Sequence, residues 1–157
     1  MICFLFEDNV SEEKPLKKKR KKKEPFVISL QVVQDNMVVP DSKINFFSQK
    51  NFYVGKRLKG DAFSFYQLIG NLGCGVDLSL SDSLDYCVIS DKSYSDLCDG
   101  IKDETLLSVE KFVDSKSSKL LLFKFITESE FLAYYVNRMN LIEDSVVTEC
   151  YKKYINS

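Results

Sequence analysis

The predicted architecture rests on two segments, Leu72-Gly73-Cys74-Gly75-Val76 and Leu84-Asp85-Tyr86-Cys87-Val88-Ile89-Ser90. The first segment ends a helical pattern in small residues, and Gly73 permits the positive φ that commonly closes a helix. In the second, Tyr86 to Ile89 is aromatic and β-branched, which is typical of a buried strand. A short apolar element at Leu80-Ser81 and a polar turn lie between them. This order predicts a helix-to-strand junction within an α/β domain.

The residues upstream predict a strand followed by an amphipathic helix. Phe52 to Val54 is expected to form the first core strand, which ends at Gly55, and Lys56 to Gly60 follows as a basic loop. Asp61 has the short acceptor side chain of a helix N-cap. The helix after it shows one apolar face with i, i+3, i+4 and i+7 spacing, formed by Phe65, Leu68, Ile69 and Leu72.

The residues downstream predict a second helix and a further strand. We expect a polar loop at Asp91 to Asp96. Asp103 then caps a helix from Glu104 to about Ser115, because Leu106, Val109 and Val113 share one face. Leu120 to Phe125 is an apolar run short enough for a buried strand.

The clearest local pattern marks the start of the last helix of the domain. Thr127 and Glu130 have capping-box spacing, and Ile126 and Phe131 have the spacing of a hydrophobic staple. Beyond this helix, Asp144 to Tyr154 predicts an appended amphipathic helix. The sequence leaves two interpretations open for it, a helix docked on the domain and a helix that binds a partner.

The first 24 residues differ from the rest of the chain in charge. They carry eight Lys and Arg against five Asp and Glu, whereas residues 25–157 carry fourteen against eighteen. Within the low-complexity segment from Ser11 to Pro25, seven consecutive cations form a basic arm: Lys17, Lys18, Lys19, Arg20, Lys21, Lys22 and Lys23. Like charges this dense repel one another, so we expect the arm to be disordered. Its role is a solvated linker, a nuclear localisation signal, or a contact to nucleic-acid phosphates.

Strand-like residues follow the basic arm. Phe26 to Val33 predicts a strand, Gln34 to Asn36 a turn, and Met37 to Val39 a second short strand. A short hairpin is therefore expected ahead of the main domain. The predicted organisation is a basic, partly disordered N-terminal extension at 1–44, an α/β domain at 45–140, and the appended helix at 141–157.

Composition argues against several classes of protein. The chain has no histidine, which removes the commonest general base and the commonest metal ligand. Its five cysteines are scattered without a C-x-x-C pair, so reduced thiols are expected rather than a zinc site or disulfides. No apolar run approaches the roughly 20 residues that span a bilayer, and Met1 to Phe6 lacks the basic flank of a signal peptide. We expect an intracellular protein, cytoplasmic or, in a eukaryote, nuclear, that is not an enzyme and needs no cofactor or metal.

The order and spacing of these motifs, from about Phe46 to Tyr135, resemble the BRCT domain, most closely the single copies in bacterial NAD-dependent DNA ligases and some exonucleases. Leu72-Gly73-Cys74-Gly75-Val76 stands at the family's Gly-Gly turn, Leu80-Ser81 at its Val-Ser element, and Leu84-Asp85-Tyr86-Cys87-Val88 at its Asp-Tyr strand. Ile126-Thr127-Glu128-Ser129-Glu130-Phe131-Leu132 matches the start of its last helix. The resemblance implies a BRCT-like four-stranded parallel sheet flanked by three helices, with strands near 52–54, 75–77, 86–90 and 120–125. It places the first and last helices on one face and the second on the other.

The resemblance also indicates where an anion site is expected. Phosphate-binding members of the family have Ser or Thr after the first strand and Lys in the second helix. Here the first position aligns near Gly55 and the second with an apolar residue, so neither side chain is carried over. A phosphate or DNA-binding site is expected instead from backbone N–H groups near Gly55, with Lys56, Arg57 and Lys102 nearby. The alternative is that Lys56, Arg57 and Lys59 form a solvated loop.

For function, the resemblance implies a non-catalytic interaction module of DNA replication or repair. Such a module holds a protein partner, phosphorylated or not, or a DNA end, and the basic arm offers a further contact to DNA. No membrane partner is expected. One alternative is the C-terminal piece of a longer enzyme, such as a DNA polymerase III epsilon-like exonuclease or a DNA ligase. Another is a purely structural dimerisation domain.

Overall fold

A computed structural model describes residues 24–38 and 48–157 of the chain. That part of the chain is an α/β fold with four strands and six helices. In chain order the elements are α1 (Leu30–Asp35), β1 (Asn51–Val54), α2 (Ala62–Asn71), β2 (Gly75–Asp77), β3 (Tyr86–Ile89), α3 (Asp91–Cys98), α4 (Glu104–Asp114), β4 (Lys124–Thr127), α5 (Glu128–Ile142) and α6 (Ser145–Ile155). The basic arm at Lys17–Lys23 and the predicted boundary at residue 44 lie outside the described residues.

The four strands form one parallel sheet in the order β2-β1-β3-β4. The predicted four-stranded parallel sheet is thus confirmed, and its first three strands lie where the sequence placed them. The fourth strand was predicted too early in the chain. It begins at Lys124, opposite Tyr86 of β3, whereas Leu120 and Leu122 are 59% and 70% exposed. Pairing with β3 therefore decides the position of β4, and the apolar run at 120–122 precedes the sheet.

One face of the sheet is covered by α2, α5 and α6. The predicted apolar face of α2 is confirmed, since Phe65, Leu68 and Ile69 are completely buried. Phe65 of α2 packs against Phe131 of α5, and their ring centroids are 4.9 Å apart. The other buried members of this core are Val38, Phe52, Val54, Leu72, Val88, Ile126, Tyr134, Tyr135, Val147 and Tyr154. The first and last predicted helices of the domain therefore share a face, as expected.

The opposite face is covered by α4, α3 and α1. Leu106, Val109 and Val113 of α4 are buried there, which confirms the predicted face of that helix. From the sheet, Cys87, Ile89 and Phe125 point into the same core. The alternation of Cys87 and Ile89 with Val88 on the other face is the two-residue period of a strand buried on both sides.

Three helix starts confirm the caps read from the sequence. Asp61 accepts the Ser64 N–H at 2.9 Å, and Asp103 accepts the Leu106 N–H at 3.2 Å. At the start of α5, Thr127 accepts the backbone N–H of Glu130, whose side chain accepts the backbone N–H of Thr127 in return. Each cap satisfies a backbone donor that the first helical turn leaves without a partner.

The predicted polar loop at 91–96 is wrong, because these residues form α3. The Ser90 hydroxyl caps this helix by accepting the Ser93 N–H at 3.0 Å. Only Ser93 and Leu97 are buried among its residues. Leu97 is buried in the core shared with α4 and the sheet, and Tyr94 packs partly buried against the same core. A helix of eight residues depends on such packing for its stability.

The predicted hairpin before the domain is also wrong, because Leu30–Asp35 is helical. Ser29 caps α1, and Val33 is completely buried against the α4 side of the sheet. After α1, Met37 makes a parallel bridge to Phe125 of β4. Burial of Val33 in the core has overridden the strand preference of these β-branched residues. Within residues 24–38, Ile28 and Val33 therefore pack into the core of the α/β fold.

The appended helix α6 is docked on the domain, which is one of the two interpretations that the sequence left open. Val147 and Tyr154 are buried in the core shared with α2 and α5. The Tyr135 hydroxyl donates to the backbone oxygen of Val147 at 3.0 Å. Among the described residues, no helix combines the length and apolar character needed to cross a membrane.

Candidate functional site

The candidate site lies at the carboxyl ends of β1 and β3, the two central strands. The chain leaves β1 for α2 on one face and leaves β3 for α3 and α4 on the other. Open parallel sheets bind ligands at this kind of reversal point, where neighbouring connections diverge and leave a crevice. In this protein the loop 55–60, which we call the β1 loop, occupies that position. It contains three of the four residues predicted to bind phosphate or DNA.

Backbone donors of the β1 loop are already engaged within the domain. The Gly55 N–H donates to the Val88 carbonyl at 2.8 Å, and the Lys56 N–H donates to the Thr105 hydroxyl at 2.9 Å. A Cβ at position 55 would lie 2.6 Å from Cγ2 of Thr105. The glycine is therefore required by the close approach of α4. The N–H groups of Gly55 and Lys56 could therefore bind an anion only by giving up these two hydrogen bonds.

The cations of the β1 loop each face a carboxylate. Lys56 pairs with Glu104 at 2.7 Å. Arg57, whose φ is 68°, pairs with Asp96 at 2.8 Å and with Asp103 at 3.1 Å. Hydrogen bonds to these carboxylates raise the pKa of Lys56 and of Arg57. The loop is thus neutralised by Asp96 of α3 and by acidic residues at the start of α4, and it is not a free basic patch.

Lys59 extends the same pattern to α3 and α5. Its ammonium lies 3.0 Å from Asp91, which also accepts the backbone N–H and the hydroxyl of Ser129. Burial alone would raise the pKa of Asp91, but hydrogen bonds from Ser129 and Lys59 lower it below its usual value. This carboxylate therefore stays ionised and ties the β1 loop to the first turn of α5.

A fully buried carboxylate, Glu128, lies beneath the β1 loop and was not identified from the sequence. Both of its oxygens accept the Lys59 N–H, at 3.2 and 3.0 Å, and it accepts the hydroxyl of Tyr154. The Gly60 N–H donates to the same hydroxyl at 3.0 Å. Burial and the hydrogen bond to Glu128 raise the pKa of Tyr154, so the phenol stays protonated. The sequence signal was an acidic residue immediately after the N-cap, which looked like an ordinary first-turn charge.

An open groove of about 470 Å³ runs beside the β1 loop. Tyr53, Tyr66 and Leu78 line it together with Gly55, Lys56 and Arg57. Leu78 is 80% exposed. The groove is consequently bordered by aromatic and aliphatic side chains, with its cations already paired.

Lys102, the fourth predicted residue, is not brought to this groove. Its ammonium lies 2.6 Å from Glu110, and it lines a separate groove with Val27 and Leu107. The structure therefore brings Gly55, Lys56 and Arg57 together and separates them from Lys102.

The cysteine and acidic side chains are the groups relevant to metal binding and to thiol chemistry. Within 24–38 and 48–157, no group of three or more Cys, Asp or Glu side chains could hold a metal ion. Cys87, Cys98 and Cys150 are free thiols. Burial raises the pKa of the Cys87 thiol and that of Cys74, so both are poor nucleophiles at neutral pH.

Comparison with known proteins leaves the chain without an assigned family. No protein-family model matches it, and neither the curated proteins nor the solved structures contain a match.

Proposed function

We propose that this protein is a non-catalytic, BRCT-like interaction module that binds a protein partner in DNA replication or repair. The observation that carries the proposal is the agreement between topology and motifs. The sheet is parallel in the order β2-β1-β3-β4, with α2 and α5 on one face and α4 on the other. The Gly73–Gly75 turn leads into β2, Tyr86 opens β3, and Thr127 caps α5. These are the places that the resemblance assigns to them.

The electrostatics of the β1 loop favour a protein partner over a phosphate group. Each of its three cations is paired with a carboxylate, and the two amides at its start are engaged. An anionic ligand would have to displace these carboxylates and approach others nearby. A partner that offers apolar and hydrogen-bonding groups meets no such opposition in the adjacent groove.

DNA is the second candidate ligand, and the basic arm is the feature that favours it. Seven consecutive cations would attract phosphates without reading bases. Residues 25–157 carry fourteen Lys and Arg against eighteen Asp and Glu, so the domain itself would repel DNA. Any DNA binding is therefore expected to depend on the arm.

One pair of titrations tests whether the protein binds DNA and whether that binding depends on the basic arm. Fluorescence anisotropy compares a duplex bearing a 5′-phosphate with the same duplex bearing a 5′-hydroxyl, using the full chain and a full-length variant with Lys17–Lys23 replaced by Gln. We expect equal affinity for the two ends, with log K falling by about 0.9 for each phosphate neutralised per tenfold rise in salt. The Gln variant should lose this binding. A preference for the 5′-phosphate that survives in the Gln variant would contradict the assignment of DNA contact to the arm alone.

The protein partner is tested by affinity purification from the source cells, followed by titration of each purified candidate. We expect a replication or repair protein to bind the full chain with a Kd in the micromolar range or tighter. The proposal fails if no purified candidate from those processes binds below about 100 μM.

A further inference from the structure

The groove beside the β1 loop, which we call the β1-loop groove, reaches the outer edge of the sheet. Asp77 and Leu78 line it, and they are the last residue of β2 and the residue that follows this strand. β2 is an edge strand, and among the described residues it pairs with β1 alone. One wall of the groove is therefore the end of a strand whose other edge is open.

The open edge of β2 presents backbone groups that a further strand could pair with. The Gly75 N–H donates inward, to the Lys50 carbonyl at 2.9 Å. Backbone groups of successive residues in a strand point to opposite edges. Val76 therefore directs its N–H and carbonyl outward, where the described residues contribute no strand. Such an edge is a template for strand addition, so an extended polypeptide is the kind of ligand that fits it.

Apolar and aromatic side chains next to this edge are open to solvent. Leu78 is 80% exposed and Phe63 of α2 is 63% exposed. Phe63 precedes Tyr66 by three positions, which places both rings on one side of the helix. Tyr66 and Tyr53 line the groove itself. Exposed apolar side chains around a concave surface are typical of an interaction site.

Carboxylates outnumber cations beside the β1-loop groove. Arg57 faces two of them, Asp96 and Asp103, whereas Lys56 faces only Glu104. Three carboxylates thus surround two cations. The ion pairs of the β1 loop therefore leave a surplus of negative charge rather than an even balance.

Asp77 adds a further carboxylate within the groove. Its side chain accepts the Ser81 hydroxyl at 3.5 Å, and it takes part in none of the ion pairs among the described residues. This charge attracts a cationic group and opposes an anionic one. The neighbouring rings of Tyr53 and Tyr66 belong to the residue types that attract Lys and Arg side chains.

We propose that the β1-loop groove binds an extended, basic segment of the protein partner. This inference rests on the proposed function as a protein-binding module and specifies the chemistry of the partner. The segment adds as a strand along β2, a Lys or Arg side chain enters the groove beside Asp77, and an apolar side chain packs on Leu78. A nucleic acid or an acidic peptide would meet the surplus negative charge. A small cation would leave the strand edge and Leu78 unused.

The test is selection of a displayed library of random ten-residue peptides. The bait is the full-length variant with Lys17–Lys23 replaced by Gln, so that the charge of the basic arm selects no peptides. Enriched peptides are then titrated against the wild-type chain by fluorescence anisotropy. We expect them to combine Lys or Arg with Val, Ile or Leu and to bind more weakly as salt rises. Methylation of alternate peptide nitrogens should weaken binding about tenfold in one register and less than about twofold in the other, as strand addition requires.

Substitutions in the protein locate the binding. Asp77→Asn should weaken the enriched peptides about threefold, as the loss of a partly exposed ion pair does. Leu78→Ser should weaken them by a similar factor through lost apolar contact. The double variant should weaken them about tenfold. Glu149→Gln is the matched control, because it removes the same charge from a side chain that is 73% exposed on α6, and it should leave affinity within about twofold.

Several outcomes would overturn the inference. Enrichment of acidic peptides, or of peptides without Lys or Arg, would do so, as would a failure to enrich any binder. It also fails if the double variant Asp77→Asn/Leu78→Ser binds the peptides normally while its circular dichroism spectrum is unchanged. A wild-type dimer that Leu78→Ser disrupts would assign the edge to a second copy of the chain instead.

The same variants distinguish this inference from the proposed function. If a purified replication or repair partner binds Asp77→Asn/Leu78→Ser as tightly as wild type, the proposed function stands and the groove assignment alone is rejected. If basic peptides bind the groove but no replication or repair protein binds the chain, the groove assignment stands and the proposed function alone is rejected.

Discussion

The hydrogen bonds of Tyr154 should make the C-terminal helix essential to the stability of the β1 loop. The Tyr154 hydroxyl donates to the buried carboxylate of Glu128 and accepts the Gly60 N–H at 3.0 Å. Tyr154→Phe removes both interactions but retains the ring, whose centroid lies 5.2 Å from that of Phe65. The substitution therefore isolates the hydroxyl from the packing of α6.

The expected cost follows from the burial of the carboxylate. A hydrogen bond to a charged group contributes about 1.5–3 kcal/mol, and more is lost when the charge stays buried. Glu128 is completely buried but retains the Lys59 N–H, so we expect a loss of about 2 kcal/mol on Tyr154→Phe. For a domain of this size, that loss corresponds to a decrease in Tm of about 4–8 °C.

Urea denaturation followed by circular dichroism measures this loss directly. Tyr151→Phe is the matched control, because Tyr151 lies on the same helix and its hydroxyl has no hydrogen bond among the described residues. It should change stability by less than about 0.5 kcal/mol. In a Glu128→Gln background, Tyr154→Phe should cost only about 1 kcal/mol, since the bond that it removes is then between neutral groups. The reasoning is refuted if Tyr154→Phe matches wild type, or if its cost is the same in both backgrounds.

Three further predictions concern the caps, the β1 loop and acid stability. Thr127→Ala should lower the free energy of unfolding by roughly 0.5–2 kcal/mol in urea titrations, and an unchanged midpoint would show that the capping box contributes nothing. Gly55→Ala places a methyl group 2.6 Å from Thr105 Cγ2, so it should lower Tm clearly, and the double variant with Thr105→Ser should recover part of that loss. Lysine partners lower the pKa of Glu110 and Asp114 from ordinary values of 4.5 and 3.8. The two ionised carboxylates therefore stabilise the fold above about pH 4.5, and this stabilisation is lost as the pH falls through the lowered pKa values. The denaturation midpoint should therefore fall in acid, and Glu110→Gln combined with Asp114→Asn should flatten that dependence; equal slopes for both proteins would contradict the assignment.

The elements that the sequence predicted well are those whose patterns are local. The face of α2 repeats through Phe65, Leu68 and Ile69, and the box of Thr127 and Glu130 closes within four residues. Such signals depend only on helical geometry and on donors within one turn, so they persist whatever packs against them. The glycine turn and the strand at 86–89 were predicted for the same reason.

The errors arose where burial by distant residues decided the structure. Residues 26–33 favour a strand by composition, yet Val33 is buried in a helix against α4 and the sheet. Leu120 and Leu122 form an apolar run, yet they are exposed because β4 pairs with β3 only from Lys124 onward. A local sequence pattern does not show which of several apolar segments will be buried in the core.

The candidate site shows the same division. The sequence alone determined that Gly55, Lys56 and Arg57 follow a strand and form a basic loop, because strand and turn preferences act over a few residues. Only the tertiary structure decided that this loop is neutralised. Asp96 and Asp103, which pair with Arg57, lie 39 and 46 residues away from it in the chain, and the sheet topology brings them within hydrogen-bond distance. The electrostatic effect of a charged side chain depends on the charges that lie close to it in space. The fold determines which charges those are, and they cannot be read from neighbouring positions in the sequence.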